Sequence, residues 1–148
     1  MKYSICSVIA ALCLCAIAAN ARNIKTLMLI SNAMESLDVP EKPSGSVKFL
    51  FGTDQTPKGV KTITNQTLLK KVSLRQTSNV NACNQAFMSI LAAFEQKAKE
   101  MGANAVVNVV SYYKRQQMSS ATHFECHEGS GYMAVALKAD FVIIPDSE

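Results

Sequence analysis

The chain has 148 residues, 18% of them charged and 49% apolar, which is the composition of one globular domain with a real core and excludes a disordered chain. Its formal net charge of +4 is too mild to mark a nucleic-acid surface by itself and steers only weakly toward anionic partners.

Residues 1–21 read as a secretory signal peptide. Lys2 supplies the positive n-region, residues 5–18 form the apolar stretch, and Ala19-Asn20-Ala21 carries small residues where a signal peptidase reads them. Cleavage is expected between Ala21 and Arg22. The apolar run falls short of the roughly 20 residues a membrane span needs. Cys13 and Cys15 each follow a leucine, too bulky for the small residue that precedes a lipidated cysteine. The chain is therefore read as exported to the periplasm, either soluble there, associated with the outer membrane or secreted.

Export changes the cysteine arithmetic. Cys6, Cys13 and Cys15 leave with the signal, and Cys83 and Cys126 remain. An even pair in an oxidising compartment is most simply a disulfide, with buried free thiols or metal ligation as the alternatives.

Residues 22–78 are weakly patterned and read as an irregular part. Within them, 26–30 suits a short strand, and Ser31 or Asn32 could cap a short helix reaching Leu37. A Pro/Gly loop follows at 39–45, and residues 46–51 alternate as a half-buried strand with Val47, Phe49 and Phe51 on one face. Residues 60–74 are rich in Thr, Val and Lys and fit a short strand at 61–64, an exposed hairpin or an irregular arm. The triplet Asn65-Gln66-Thr67 matches a glycosylation sequon, to which no function is attached.

Residues 79–144 form the core unit. Ala82, Cys83, Ala86, Phe87, Ile90, Leu91, Phe94, Ala98 and Met101 repeat every 3.6 residues, which predicts one long helix capped by Ser78 or Asn79 and ended at Gly102. Three strands follow. Residues 104–113 are apolar on both faces, as a central strand is, whereas 122–128 alternate, with Phe124 and Cys126 on one side. Residues 132–144 put Met133, Val135, Leu137, Phe141 and Ile143 on one side. The fold class expected is α+β: one long helix packed on a mainly antiparallel sheet, with Cys126 facing the helix that carries Cys83.

The run from Met101 to Tyr113 (Met-Gly-Ala-Asn-Ala-Val-Val-Asn-Val-Val-Ser-Tyr-Tyr), with Phe124-Glu125-Cys126-His127 and the stretch from Val135 to Val142, resembles a group of small exported bacterial proteins. These often carry the inherited label "excinuclease ATPase subunit". More distantly, a helix leading into Gly-Ala-Asn-Ala and an apolar strand is similar to the Rcs envelope-stress sensor lipoprotein and to small heavy-metal-binding-like domains. That sensor has a lipidated cysteine and two disulfides, which this chain does not match, so its signalling role does not carry over. The ATPase label conflicts with the chemistry: no Gly-x-x-x-x-Gly-Lys-Ser/Thr loop is present, and an exported protein has no ATP supply.

Chemistry-bearing constellations are sparse. His123, Glu125 and His127 alternate on one strand face and form a candidate Zn²⁺ or Cu²⁺ set, yet side chains two apart on a strand lie about 7 Å apart and rarely converge on one ion. The plainer expectation for them is a solvated polar face. No Gly-x-Ser-x-Gly elbow occurs, and two cysteines 43 positions apart are no thiol-oxidoreductase motif. The expectation is a non-enzymatic envelope protein without cofactor, whose partners are other envelope proteins and not nucleic acid. A subunit of a larger assembly, such as a secretion-machine outer-membrane complex, is its concrete form. The alternatives are a periplasmic metal or ligand sensor and a secreted inhibitor.

Overall fold

The computed structural model describes residues 23–145, so the expected leader and the expected cleavage point between Ala21 and Arg22 lie outside the described residues. Six strands and two helices follow in the order β1 (Ile24–Leu29), α1 (Ile30–Glu35), β2 (Lys48–Phe51), β3 (Lys61–Ser73), α2 (Asn79–Met101), β4 (Ala105–Ser111), β5 (His123–Glu128) and β6 (Tyr132–Ile143). All six strands join one mixed sheet, and α2 lies across one face of it. The fold is α+β, with a long helix and a mostly antiparallel sheet.

Helix α2 forms where its periodicity says it should. The Ser78 hydroxyl accepts the Asn81 N–H at 3.2 Å, satisfying a donor that the helix itself cannot. At the other end Gly102 turns left-handed at φ 73°, and the N–H of Ala103 closes back on the Ala98 carbonyl at 2.9 Å. The sheet-facing stripe buries Phe87, Leu91 and Phe94 completely. Side chains of that size contribute about 1.5–3 kcal/mol each when withdrawn from water. Phe87 stacks on Phe124 of β5 at 4.1 Å, and Phe94 meets Phe141 of β6 edge-on at 5.6 Å.

Strand β6 is the spine. Along one side it pairs with β3 from Lys61↔Ile143 to Ser73↔Tyr132. Along the other, its C-terminal half pairs with β4, while its N-terminal end pairs with β5 only at His127↔Ala134 and Glu128↔Met133. Strand β5 pairs along its whole length with β1 on its other side, so the sheet is not a simple meander of three strands. β4 is buried on both faces: the α2 side takes Val106 and Val109, and the opposite side forms a second small cluster of Ala105, Val107 and Val142 with Leu50 and Val60.

The region read as irregular from sequence is part of this sheet. Residues 61–73 form a strand of 13 residues, not an arm. Its half-buried positions are Thr64, Gln66, Leu68 and Val72, with an exposed Lys70 in the same row, and a register shift between Thr62 and Thr64 interrupts the repeat. Three polar residues in this row hide the period-2 signal, and β6 supplies the template that local propensity does not. Helix α1 begins at Ile30 after Leu29 with no side-chain cap, so neither Ser31 nor Asn32 serves as one.

Cys83 and Cys126 form a disulfide, with Cα atoms 5.8 Å apart and both side chains buried. In the chain-entropy picture, closing a loop of this length stabilises the fold by about 4 kcal/mol.

Candidate functional site

The chemistry-bearing side chains gather on the sheet face opposite α2, where β1 and β5 run antiparallel. In this register Lys25 sits opposite His127, Leu27 opposite Glu125 and Leu29 opposite His123. Directly opposed residues of an antiparallel pair share a face, so all six project to the same side. Met28 and Phe124 project to the other, into the core.

Glu125 and His127 are not solvated, contrary to the expectation from their alternation. Each is only 5% exposed. The Glu125 carboxylate meets His127 Nε2 at 3.2 Å through one oxygen and Lys25 Nζ at 3.1 Å through the other. His127 Nδ1 lies 3.2 Å from Asn23 Oδ1, and the Tyr113 ring stacks on the imidazole with centroids 3.8 Å apart. The Glu125 backbone N–H donates to the buried Ser111 hydroxyl at 2.8 Å. Burial lowers the His127 pKa. The Glu125 carboxylate opposes that shift, and Lys25 and Lys114 add to it. A buried imidazole is thus wedged between a tyrosine ring and a carboxylate, and the group ties β1 to β5.

His123 is left out of this cluster: its Nδ1 pairs with the Thr122 hydroxyl at 2.8 Å. Among the described residues no group of three His, Cys, Asp or Glu side chains is arranged to hold a metal ion. The candidate set His123, Glu125 and His127 therefore contributes a bonded pair and a separate histidine. Cys83 and Cys126 are committed to each other.

The motif from Met101 to Tyr113 resolves into backbone devices. Asn104 completes the sheet at its margin, accepting the Ile144 N–H at 2.7 Å and donating to the Ile144 carbonyl at 2.8 Å. Asn108 stands at φ 51° in the register shift between β4 and β6, a conformation asparagine tolerates better than most residues. Its amide donates to Asp140 at 2.7 Å and accepts the Thr56 hydroxyl at 2.6 Å, fastening the loop at 52–60 over the outer face.

The feature that sequence reasoning missed is the open edge at β1. Among the described residues this strand pairs only with β5 and ends the sheet. Of its six residues only Met28 is not exposed; the large apolar side chains Ile24, Leu27 and Leu29 are 46%, 55% and 41% exposed, and its one lysine is paired with Glu125. The available signal was the spacing Lys25, Leu27, Leu29, a period-2 row like that of His123, Glu125 and His127. Nothing in sequence links Asn23 or Tyr113 to His127.

Comparison of the chain with protein-family models, with curated proteins and with solved structures returns no match.

Proposed function

We propose that the protein is a non-enzymatic, exported component of the cell envelope that binds another envelope protein through the open edge of β1. The single observation that carries this reading is the edge itself: a terminal strand of six residues with three large apolar side chains in solvent. A free row of backbone donors and acceptors beside exposed leucines is the surface to which an extended segment adds as a further strand. The main-chain bonds give affinity and the alternate side chains give specificity.

Two further features support the reading. Glu125 and His127, the pair best suited to acid–base work, are buried and bonded to each other, to Lys25 and to Asn23, and line neither the groove beside Lys71 and Tyr132 nor the cleft beside Asn108 and Asp140. A disulfide between β5 and the long helix suits an oxidising compartment, in keeping with the leader. Of the weakly patterned residues 22–78, those at 61–73 are committed to the sheet through β6, whereas those at 24–29 form the open edge strand itself.

The test is the native mass of the protein released gently from its own envelope after mild cross-linking. A species far above the 16.0 kDa of the full chain, with co-migrating chains that identify the partner, is the expected result. Release as a free monomer contradicts it.

A further inference from the structure

At the far end of β3 and β6 the sheet carries a shallow groove of about 930 Å³ on the face opposite α2. Lys71, Ser73, Arg75, Ser130, Gly131 and Tyr132 contribute to its lining, which contains no carboxylate. Ser73 pairs directly with Tyr132, and Lys71 lies diagonally across from it on the same face, while the intervening Val72 and Met133 turn into the core.

The arrangement is built rather than incidental. The turn closes with the Gly129 N–H on the Tyr132 carbonyl at 2.9 Å and the Leu74 N–H on the Gly131 carbonyl at 3.0 Å. The Tyr132 ring lies so close over Gly129 that any side chain there would collide with it. The Lys71 ammonium sits over the ring at 4.6 Å from its centroid, so glycine, ring and cation form a stack that holds the charge at the groove. Among the described residues neither Lys71 nor Arg75 has a carboxylate within ion-pair distance, whereas Lys25, Lys97 and Lys99 each do. Two uncompensated cations thus stand beside two serine hydroxyls. Helix α2 starts three residues after Gln76, within about 11 Å by chain length, and has no acidic residue in its first turn.

We infer that this groove binds a phosphate group, carried by a ligand larger than phosphate alone. Arginine offers a planar fork and lysine a point charge, a pairing that fits a tetrahedral oxyanion, and the serine hydroxyls supply neutral donors. The volume exceeds that of one phosphate and lies within the range of small-molecule sites. A soluble phosphate ester and an anionic lipid headgroup present the same chemistry. The inference does not depend on the β1 edge, which is a separate part of the sheet.

The experiment titrates the disulfide-intact protein with inorganic phosphate and with glucose 6-phosphate while backbone amide signals are followed. In parallel it measures sedimentation with phosphatidylcholine vesicles with and without phosphatidylglycerol. The expected result is saturable binding in at least one arm, with amide shifts or protection centred on Arg75, Ser130, Gly131 and Tyr132. K71Q/R75Q weakens it about tenfold or more, and K114Q/R115Q leaves it unchanged. A response to the phosphatidylglycerol vesicles alone identifies a headgroup; a response to inorganic phosphate or glucose 6-phosphate identifies a soluble phosphate ligand. Gly129→Ala keeps every charge and displaces the ring, so it weakens binding as well. No saturation in any arm up to about 10 mM overturns the inference, as does equal loss in the two charge variants, which marks diffuse attraction.

Discussion

The two ends of the sheet are held by different physics. On the β3 side, β6 and β3 share a ladder running from Lys61↔Ile143 to Ser73↔Tyr132, and α2 packs over both. On the β1 side, β5 pairs with β6 at only two register positions, and among the described residues β5 is the only strand that pairs with β1. What fixes that end is one covalent bond from Cys126 to α2, the Phe87–Phe124 stack and the buried Lys25–Glu125–His127 cluster. The edges differ likewise. β3 presents Lys61, Lys70 and Lys71, the charges that discourage edge-to-edge pairing, whereas β1 presents leucines and has its lysine drawn toward Glu125. Four-residue β2, the third edge, is protected by its shortness. The lesson is that an open apolar edge persists where a bond and a polar cluster, not a long ladder, hold the strand in place.

Opening the disulfide is the strongest way to break this comparison. The pair C83A/C126A is expected to lose about 4 kcal/mol in denaturant unfolding. Amide exchange should rise first in β1 and β5 and last in β3 and β6; uniform loosening would show that the two ends are not distinct. Next in size is Glu125→Ala, which strips His127 Nε2 and Lys25 of their shared partner. A cost of about 1–3 kcal/mol is expected, again with exchange concentrated in β1, and unchanged β1 protection would remove the cluster from the account.

Acid separates the two regions further. Burial lowers the pKa of His127 in the fold. Below its ordinary 6.5 the unfolded chain takes up a proton before the folded one does, so stability falls with pH through that window. Glu125, Lys25 and Lys114 face the imidazole, and His127→Phe should flatten this limb while the others remain. Glu95 acts in a lower window on the opposite face. Burial alone would raise its pKa, but the N–H of Ser44, the hydroxyl of Ser46 and the N–H of Ser46 outweigh it and lower it below the ordinary 4.5. Its stabilisation is present above the unfolded value and lost as pH falls through the folded one, and Glu95→Gln should remove that limb in acid unfolding curves.

How far the fold was legible depended on whether the buried row was uniformly apolar. In α2 the row of Phe87, Leu91 and Phe94 was, and Ser78 and Gly102 marked both ends, so the helix and its sheet-facing stripe could be read directly, whereas the burial of Asn84, Ser89 and Glu95 beside that row could not. In β3 the inward row contains Thr64 and Gln66, and the strand is visible only once β6 is beside it. The polar cluster failed for a related reason. Alternation put Glu125 and His127 on one face but could not say that Lys25, Asn23 and Tyr113, 12 to 104 residues away, would cover it. A residue row gives direction, and burial comes from the neighbours.

The smallest expected change in stability belongs to the variants that test the edge itself. Leu27 on β1 and Leu69 on β3 are similarly exposed, and a neutral glutamine at 27 sets no second carboxylate opposite Glu125, so Leu27→Gln and Leu69→Gln should each leave stability within about 0.5 kcal/mol. The decisive measurement is the cross-linked native mass of these two variants beside the wild-type chain in the envelope of origin. The large species is expected to persist with Leu69→Gln and to disappear with Leu27→Gln. A large species that survives Leu27→Gln, or one lost equally in both, would contradict a partner bound at β1.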